Sequence, residues 1–142
     1  MTQPFRLPGV GRLDAGKPLA FTFDGKSYTG REGDTLASAL LANGVHLVGR
    51  SFKYHRPRGF LSAGAEEPNA LVGIHRDAAR KTPNVRATVQ ELYDGLAAVS
   101  QNRWPSLAFD IGAISDLNAP LFSAGFYYKT FKWPRAAWAR LY

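Results

Sequence analysis

Cysteine is absent from all 142 residues. That single absence excludes disulfides, thiolate nucleophiles, thiolate zinc sites and cysteine-ligated iron-sulfur clusters. Long apolar runs are absent as well: no window approaches the roughly 20 apolar residues that cross a bilayer. The opening MTQPFRLPGVGR carries Pro4 and Pro8 and no continuous apolar stretch, so neither a signal peptide nor a membrane anchor is expected there, and a cytoplasmic location is the expectation. Acidic residues are scarce, eleven against eighteen Lys and Arg, which gives a net charge of +7. Arg50, Lys53, Arg56 and Arg58 fall within nine residues without an acid, and four more cations and no acid follow Asp116. Such a field attracts nucleic acid, a cofactor phosphate or an acidic partner.

What is present fits one core, since 45% of the residues are apolar or aromatic. In LAFTFDGKSYTG, alternating residues flank Asp24-Gly25, which predicts a hairpin because Asp and Gly tolerate the positive dihedrals of a tight turn. EGDTLASALLANGV predicts a helix over 35–43, with Asp34 as N-cap, Leu36, Leu40 and Leu41 on one face, and Gly44 ending it. ALVGI at 70–74 and NVRATVQ at 84–90 predict strands, the second with Val85, Ala87 and Val89 on one face. GLAAV, ending at Val99, predicts a further strand. A mixed sheet wrapped on one main helix, an α+β β-grasp arrangement, buries these faces most simply. The expected organisation is an extension over 1–18, the β-grasp domain over 19–101, and an irregular arm over 102–142. The last 22 residues hold eight of the eighteen aromatics, Phe122, Phe126, Tyr127, Tyr128, Phe131, Trp133, Trp138 and Tyr142, more than a small core absorbs and therefore an expected interface.

No self-contained active site emerges from the pattern. PGVGRL lacks a preceding strand and a third glycine, and Ser38, Ser51 and Ser62 stand in no nucleophile-elbow pattern. His46, His55 and His75 have no metal-ligand spacing and read as ordinary hydrogen-bonded or surface histidines. Glu66 and Glu67, adjacent on a loop, read as solvated. RSFKYHRPRGF interleaves cations with aromatic rings as single-strand nucleic-acid binders do, which keeps a small basic nucleic-acid-binding module as the alternative reading.

The loop from His46 to Val72, following a helix and entering a strand, resembles the ferredoxin-type cradles of flavin oxidoreductases that oxidise amines and amino acids. Arg50-Ser51 and Arg58-Gly59-Phe60 match the lead-in and Gly64 a cradle glycine; the Cys-x4-Cys-x2-Cys positions of those domains then fall on Leu61, Glu66 and Asn69, none of which holds a cluster. Together with EEPNALV, QNRWPSL and AGFYYKTFKWP, the chain resembles the N-terminal region of the alpha subunits of heterotetrameric sarcosine oxidases. The resemblance implies a cluster-less β-grasp domain, itself non-catalytic, of an enzyme that oxidatively demethylates sarcosine to glycine with FAD, FMN, NAD and tetrahydrofolate. Its partners would be the rest of the alpha subunit, whose dinucleotide- and folate-binding domains are expected beyond Tyr142, and the beta, gamma and delta subunits. Arg50, Lys53, Arg56 and Arg58 would meet a neighbouring subunit or a cofactor phosphate.

Overall fold

A computed structural model describes residues 3–10, 16–117 and 119. Strands β1 (Pro18–Phe23) and β2 (Lys26–Arg31) form the expected hairpin, with Asp24 at φ 49° and Gly25 at φ 79° supplying the two left-handed residues of its turn. Helix α1 (Leu36–Ala42) follows, then β3 (Gly49–Arg50), β4 (Pro57–Arg58), β5 (Leu71–His75), β6 (Lys81–Arg86) and β7 (Leu96–Val99). A 3-10 turn at Ile111–Ala113 runs into the single helical turn α2 (Ile114–Leu117). The main sheet has the order β2-β1-β7-β5-β6, with β1 and β7 parallel and the other pairs antiparallel, while β3 and β4 form a separate ribbon.

The inward residues of β1, β5 and β7, among them Phe21, Phe23, Val72, Ile74, Leu96 and Ala98, pack with Leu36, Ala39 and Leu40 of α1 and with Val48. Leu41, expected on that face, is partly exposed, because Ala37 and Ala39 complete the buried stripe instead. The helix cap also differs from expectation by one residue. Thr35 is the N-cap, its hydroxyl accepting from the Ser38 N–H at 3.2 Å while the Ser38 hydroxyl accepts from the Thr35 N–H at 3.0 Å, a reciprocal capping box. Asp34, fully buried, accepts from no helix N–H; one oxygen accepts from the Ser38 hydroxyl at 2.8 Å and the other from the Arg31 N–H, pairing also with Arg6. At the other end Gly44 adopts φ 79°, and a Cβ there would lie 2.7 Å from the Phe5 ring, so both conformation and space require glycine.

The strand expected over 84–90 is instead Lys81–Arg86. Ala87–Val89 form a turn in which Ala87 is buried and Val89 is 52% exposed, so the three do not share a face. Long-range bonding overrides the alternation. The Ala87 N–H donates to the Ala70 carbonyl, while the carbonyls of Ala87 and Gln90 accept from the N–H groups of Ala37 and Leu36. Donors that a first helical turn leaves orphaned are thus satisfied by this turn, which fixes α1 against the start of β5. The eight aromatics from Phe122 to Tyr142 lie outside the described residues.

Candidate functional site: a basic loop and an anion cradle

The β3–β4 ribbon carries the turn Ser51–Arg56. It is closed by bonds from the Ser51 N–H to the Arg56 carbonyl at 2.9 Å and from the His55 N–H to the Ser51 carbonyl at 3.0 Å. Of the four cations expected to face a partner, Arg50 points inward. Its guanidinium donates twice to the Leu107 carbonyl (2.8 and 3.2 Å) and once to the His55 carbonyl (3.1 Å), and its side chain is 11% exposed. Arg58 donates to the Asn69 side chain at 2.8 Å, bracing β4 against the following loop. Lys53 and Arg56 lie over the Tyr54 ring, at 5.5 and 4.8 Å from its centroid, and Arg56, half exposed, also pairs with Asp116 at 2.8 Å. Lys53, Arg56 and Arg58 therefore carry the outward charge and Arg50 holds the loop together.

The segment that Arg50 grips is organised by Asp110, a residue that sequence reading gave no reason to single out. Its buried carboxylate meets His55 Nδ1 at 2.8 Å and accepts from the N–H groups of Trp104 and Gly112, each at 3.0 Å. Burial pushes this carboxyl up, but the His55 hydrogen bond and the two backbone donors outweigh it and hold the group below its ordinary range. His55 is thus a hydrogen-bonded structural histidine, packed so closely that a Cβ on Gly112 would stand 2.4 Å from its ring.

Beyond β4, residues 61–70 fold around a second buried carboxylate. Glu67, expected to be solvated, has no exposed surface. One oxygen accepts from the N–H groups of Leu61 (2.8 Å) and Ser62 (2.6 Å), the other from those of Asn69 (2.7 Å) and Ala70 (3.2 Å). Desolvation raises this carboxyl too, and the four backbone donors together outweigh it and hold Glu67 below the ordinary glutamate range. The loop is tied from outside by the Thr88 hydroxyl, which donates to the Gly64 carbonyl at 2.6 Å, and by Arg86, which donates to the Glu67 carbonyl at 3.2 Å. Leu61, at 71%, and Glu66 are exposed, so two of the three positions expected to face a ligand point outward. Between the ribbon and this loop lies an open cleft of about 830 Å³, lined among others by Arg50, Phe52, Lys53, Arg58, Asn69 and Asn84. Among the described residues no three His, Cys, Asp or Glu side chains are grouped to hold a metal ion, and no helix is long and apolar enough to cross a membrane.

The 2Fe-2S iron-sulfur cluster binding domain family matches residues 16–103. The chain is 67% identical over 138 residues to the sarcosine oxidase subunit alpha of Rhizobium meliloti, covering 97% of this chain and 14% of that protein. It is 50% identical over 74 residues to the sarcosine oxidase subunit alpha of Corynebacterium sp. strain P-1, covering 49% of this chain and 8% of that one. Among solved structures, L-proline dehydrogenase from P. horikoshii matches with a TM-score of 0.50 and 25% identity, over 61% of this chain and 16% of that chain. The chain thus spans about one seventh of the Rhizobium relative's length. A [2Fe-2S] cluster does not fit the residues present: its iron requires thiolates, this chain has none, and the inside of the loop is filled by a carboxylate whose two oxygens are already bonded. The chain belongs to the 2Fe-2S iron-sulfur cluster binding domain family as a cysteine-free member, similar over nearly its whole length to a sarcosine oxidase alpha subunit.

Proposed function

We propose that this chain is the N-terminal structural and assembly domain of a sarcosine oxidase alpha subunit and is not itself catalytic. The observation that carries the reading is the 67% identity across 138 residues to a protein of that name. The proposed organisation is an extension over 1–18, the ferredoxin-like domain over 19–101 and a connecting arm over 102–142 that leads to a dinucleotide-binding domain. The proposed parent is a cytoplasmic complex of alpha, beta, gamma and delta subunits. It converts sarcosine, O2 and tetrahydrofolate to glycine, H2O2 and 5,10-methylenetetrahydrofolate, with FAD, FMN and NAD bound outside this domain.

In this reading the residues divide by task. Glu67, Arg50 and the His55–Asp110 pair keep the loops rigid, which lowers the entropy lost on docking. Lys53, Arg56 and Arg58, beside the exposed Phe52, form the face offered to an acidic subunit surface or a cofactor phosphate. Deleting residues 16–103 from the proposed oxidase tests this: subunit association measured by sedimentation is expected to fail. A deletion variant that assembles and turns over like its parent would refute the role. The nucleic-acid alternative is separated by titration with single-stranded oligonucleotides, where tight binding that weakens steeply with salt would favour it. Against it stands Tyr54, whose ring is engaged by Lys53 and Arg56.

A further inference from the structure

The residues of the 61–70 loop that face inward are spaced in a pattern of their own. Ser62, Glu67 and Ala70 are separated by four and two residues, the x4, x2 spacing of the first three thiolates in plant-type [2Fe-2S] loops. Glu67 and Ala70 have no exposed surface. The Ser62 hydroxyl is the one buried side-chain polar atom without a hydrogen-bond partner among the described residues. The fourth thiolate of such a set comes from farther along the chain. Among the described residues, two side chains from beyond residue 70 bond this loop, those of Arg86 and Thr88. Of these Thr88 is the buried one, and its hydroxyl, like a cysteine sulfur, stands one bond from Cβ. A concavity of converging backbone N–H groups is an anion site of the type that iron-sulfur clusters occupy; here four such groups converge on a carboxylate.

We infer that Ser62, Glu67, Ala70 and Thr88 occupy the four positions from which this family holds its cluster, and that the Glu67 carboxylate replaces the cluster as the anion at the loop's centre. The ligand positions are therefore one residue later than Leu61, Glu66 and Asn69. The domain keeps the cradle and fills it from within, a conclusion independent of the proposed assembly role.

The test is reconversion. The set Ser62→Cys, Glu67→Cys, Ala70→Cys and Thr88→Cys is compared with a control set shifted by one, Leu61→Cys, Glu66→Cys, Asn69→Cys and Thr88→Cys. Both are incubated anaerobically with ferric iron and sulfide, the iron thus supplied at the oxidation state it holds in an oxidised [2Fe-2S] centre. The first set is expected to bind iron and sulfide in equal amounts with the visible absorption of a cluster, and the control to bind no more than the unaltered chain. Equal or better loading of the control, or a folded first set that binds neither, overturns the inference. Should the first set not fold, amide exchange decides. In the unaltered chain the N–H groups of Leu61, Ser62, Asn69 and Ala70 are expected to be protected, and Glu67→Gln to reduce that protection by about tenfold or more, as losing a charged hydrogen bond entails. Unchanged protection at those four amides in Glu67→Gln overturns it equally.

Discussion

Truncating Glu67 is expected to cost more than any other single polar change in this domain. Glu67→Ala removes the acceptor for four backbone donors at once. A buried donor left without a partner costs about 1–3 kcal/mol. Leu61 is exposed and Asn69 half-buried, so their N–H groups can find water in the opened loop. Ala70 is fully buried and Ser62 half-buried, and their two donors set the cost at about 2–6 kcal/mol. Against a total stability of about 5–15 kcal/mol for a typical domain, the upper end approaches unfolding. Glu67→Gln keeps one carbonyl oxygen but turns an NH2 group toward two donors, so it too is destabilising, by about 1–3 kcal/mol. Urea denaturation followed by circular dichroism measures both as a shift in midpoint with unchanged slope. A Glu67→Ala variant within about 0.5 kcal/mol of the unaltered chain, the range of an ordinary surface substitution, would refute the reasoning.

Other perturbations separate the remaining parts. Because Glu67 and Asp110 are both held below their ordinary ranges, their contribution is complete above the unfolded carboxylate range and lost as pH falls through the folded values. Denaturation midpoints should therefore fall on acidification, and Glu67→Gln should flatten that fall. Arg50→Ala should destabilise by about 2–4 kcal/mol by leaving the Leu107 and His55 carbonyls unpaired, whereas Lys53→Ala should change stability by less than about 0.5 kcal/mol in the same assay. Gly112→Ala should cost about 1–3 kcal/mol through the clash with the His55 ring, seen as a lower melting temperature and a shifted His55 ring resonance. Thr35→Ala should cost about 1 kcal/mol through the lost capping box, measured in urea.

Local signals in the chain proved readable where local chemistry decides. Asp24-Gly25 specifies its turn through two positive dihedrals, and Gly44 its helix end, because no distant residue is needed for either. The cap at Thr35 was ambiguous in principle, since Asp34 is equally able to accept from a helix N-terminus. The Asp34 carboxylate is instead occupied by the Ser38 hydroxyl, the Arg31 N–H and Arg6, the last 28 residues away. Val89 fails to extend its strand because the turn at Ala87 is bonded to Ala70 and α1. The site shows the same division. Arg50 reads as surface charge in a basic run, yet its guanidinium is claimed by Leu107, 57 residues on. His55 meets Asp110 over 55 residues. Glu67 is hardest to anticipate, because its partners are backbone N–H groups that every residue carries and that no side-chain pattern announces. The one trace in the sequence is the spacing of Ser62, Glu67 and Ala70, which acquires meaning only once their burial is known.

Iron and acid-labile sulfide analysis of the purified, unaltered chain, prepared under iron-replete and anaerobic conditions, tests most directly whether this cluster-family domain stands without its cluster. A cradle filled by Glu67 gives iron and sulfide at background level in a chain that is folded by circular dichroism. Iron and sulfide bound in equal amounts at the level of one cluster per chain, and lost together with the fold on chelation, would contradict it.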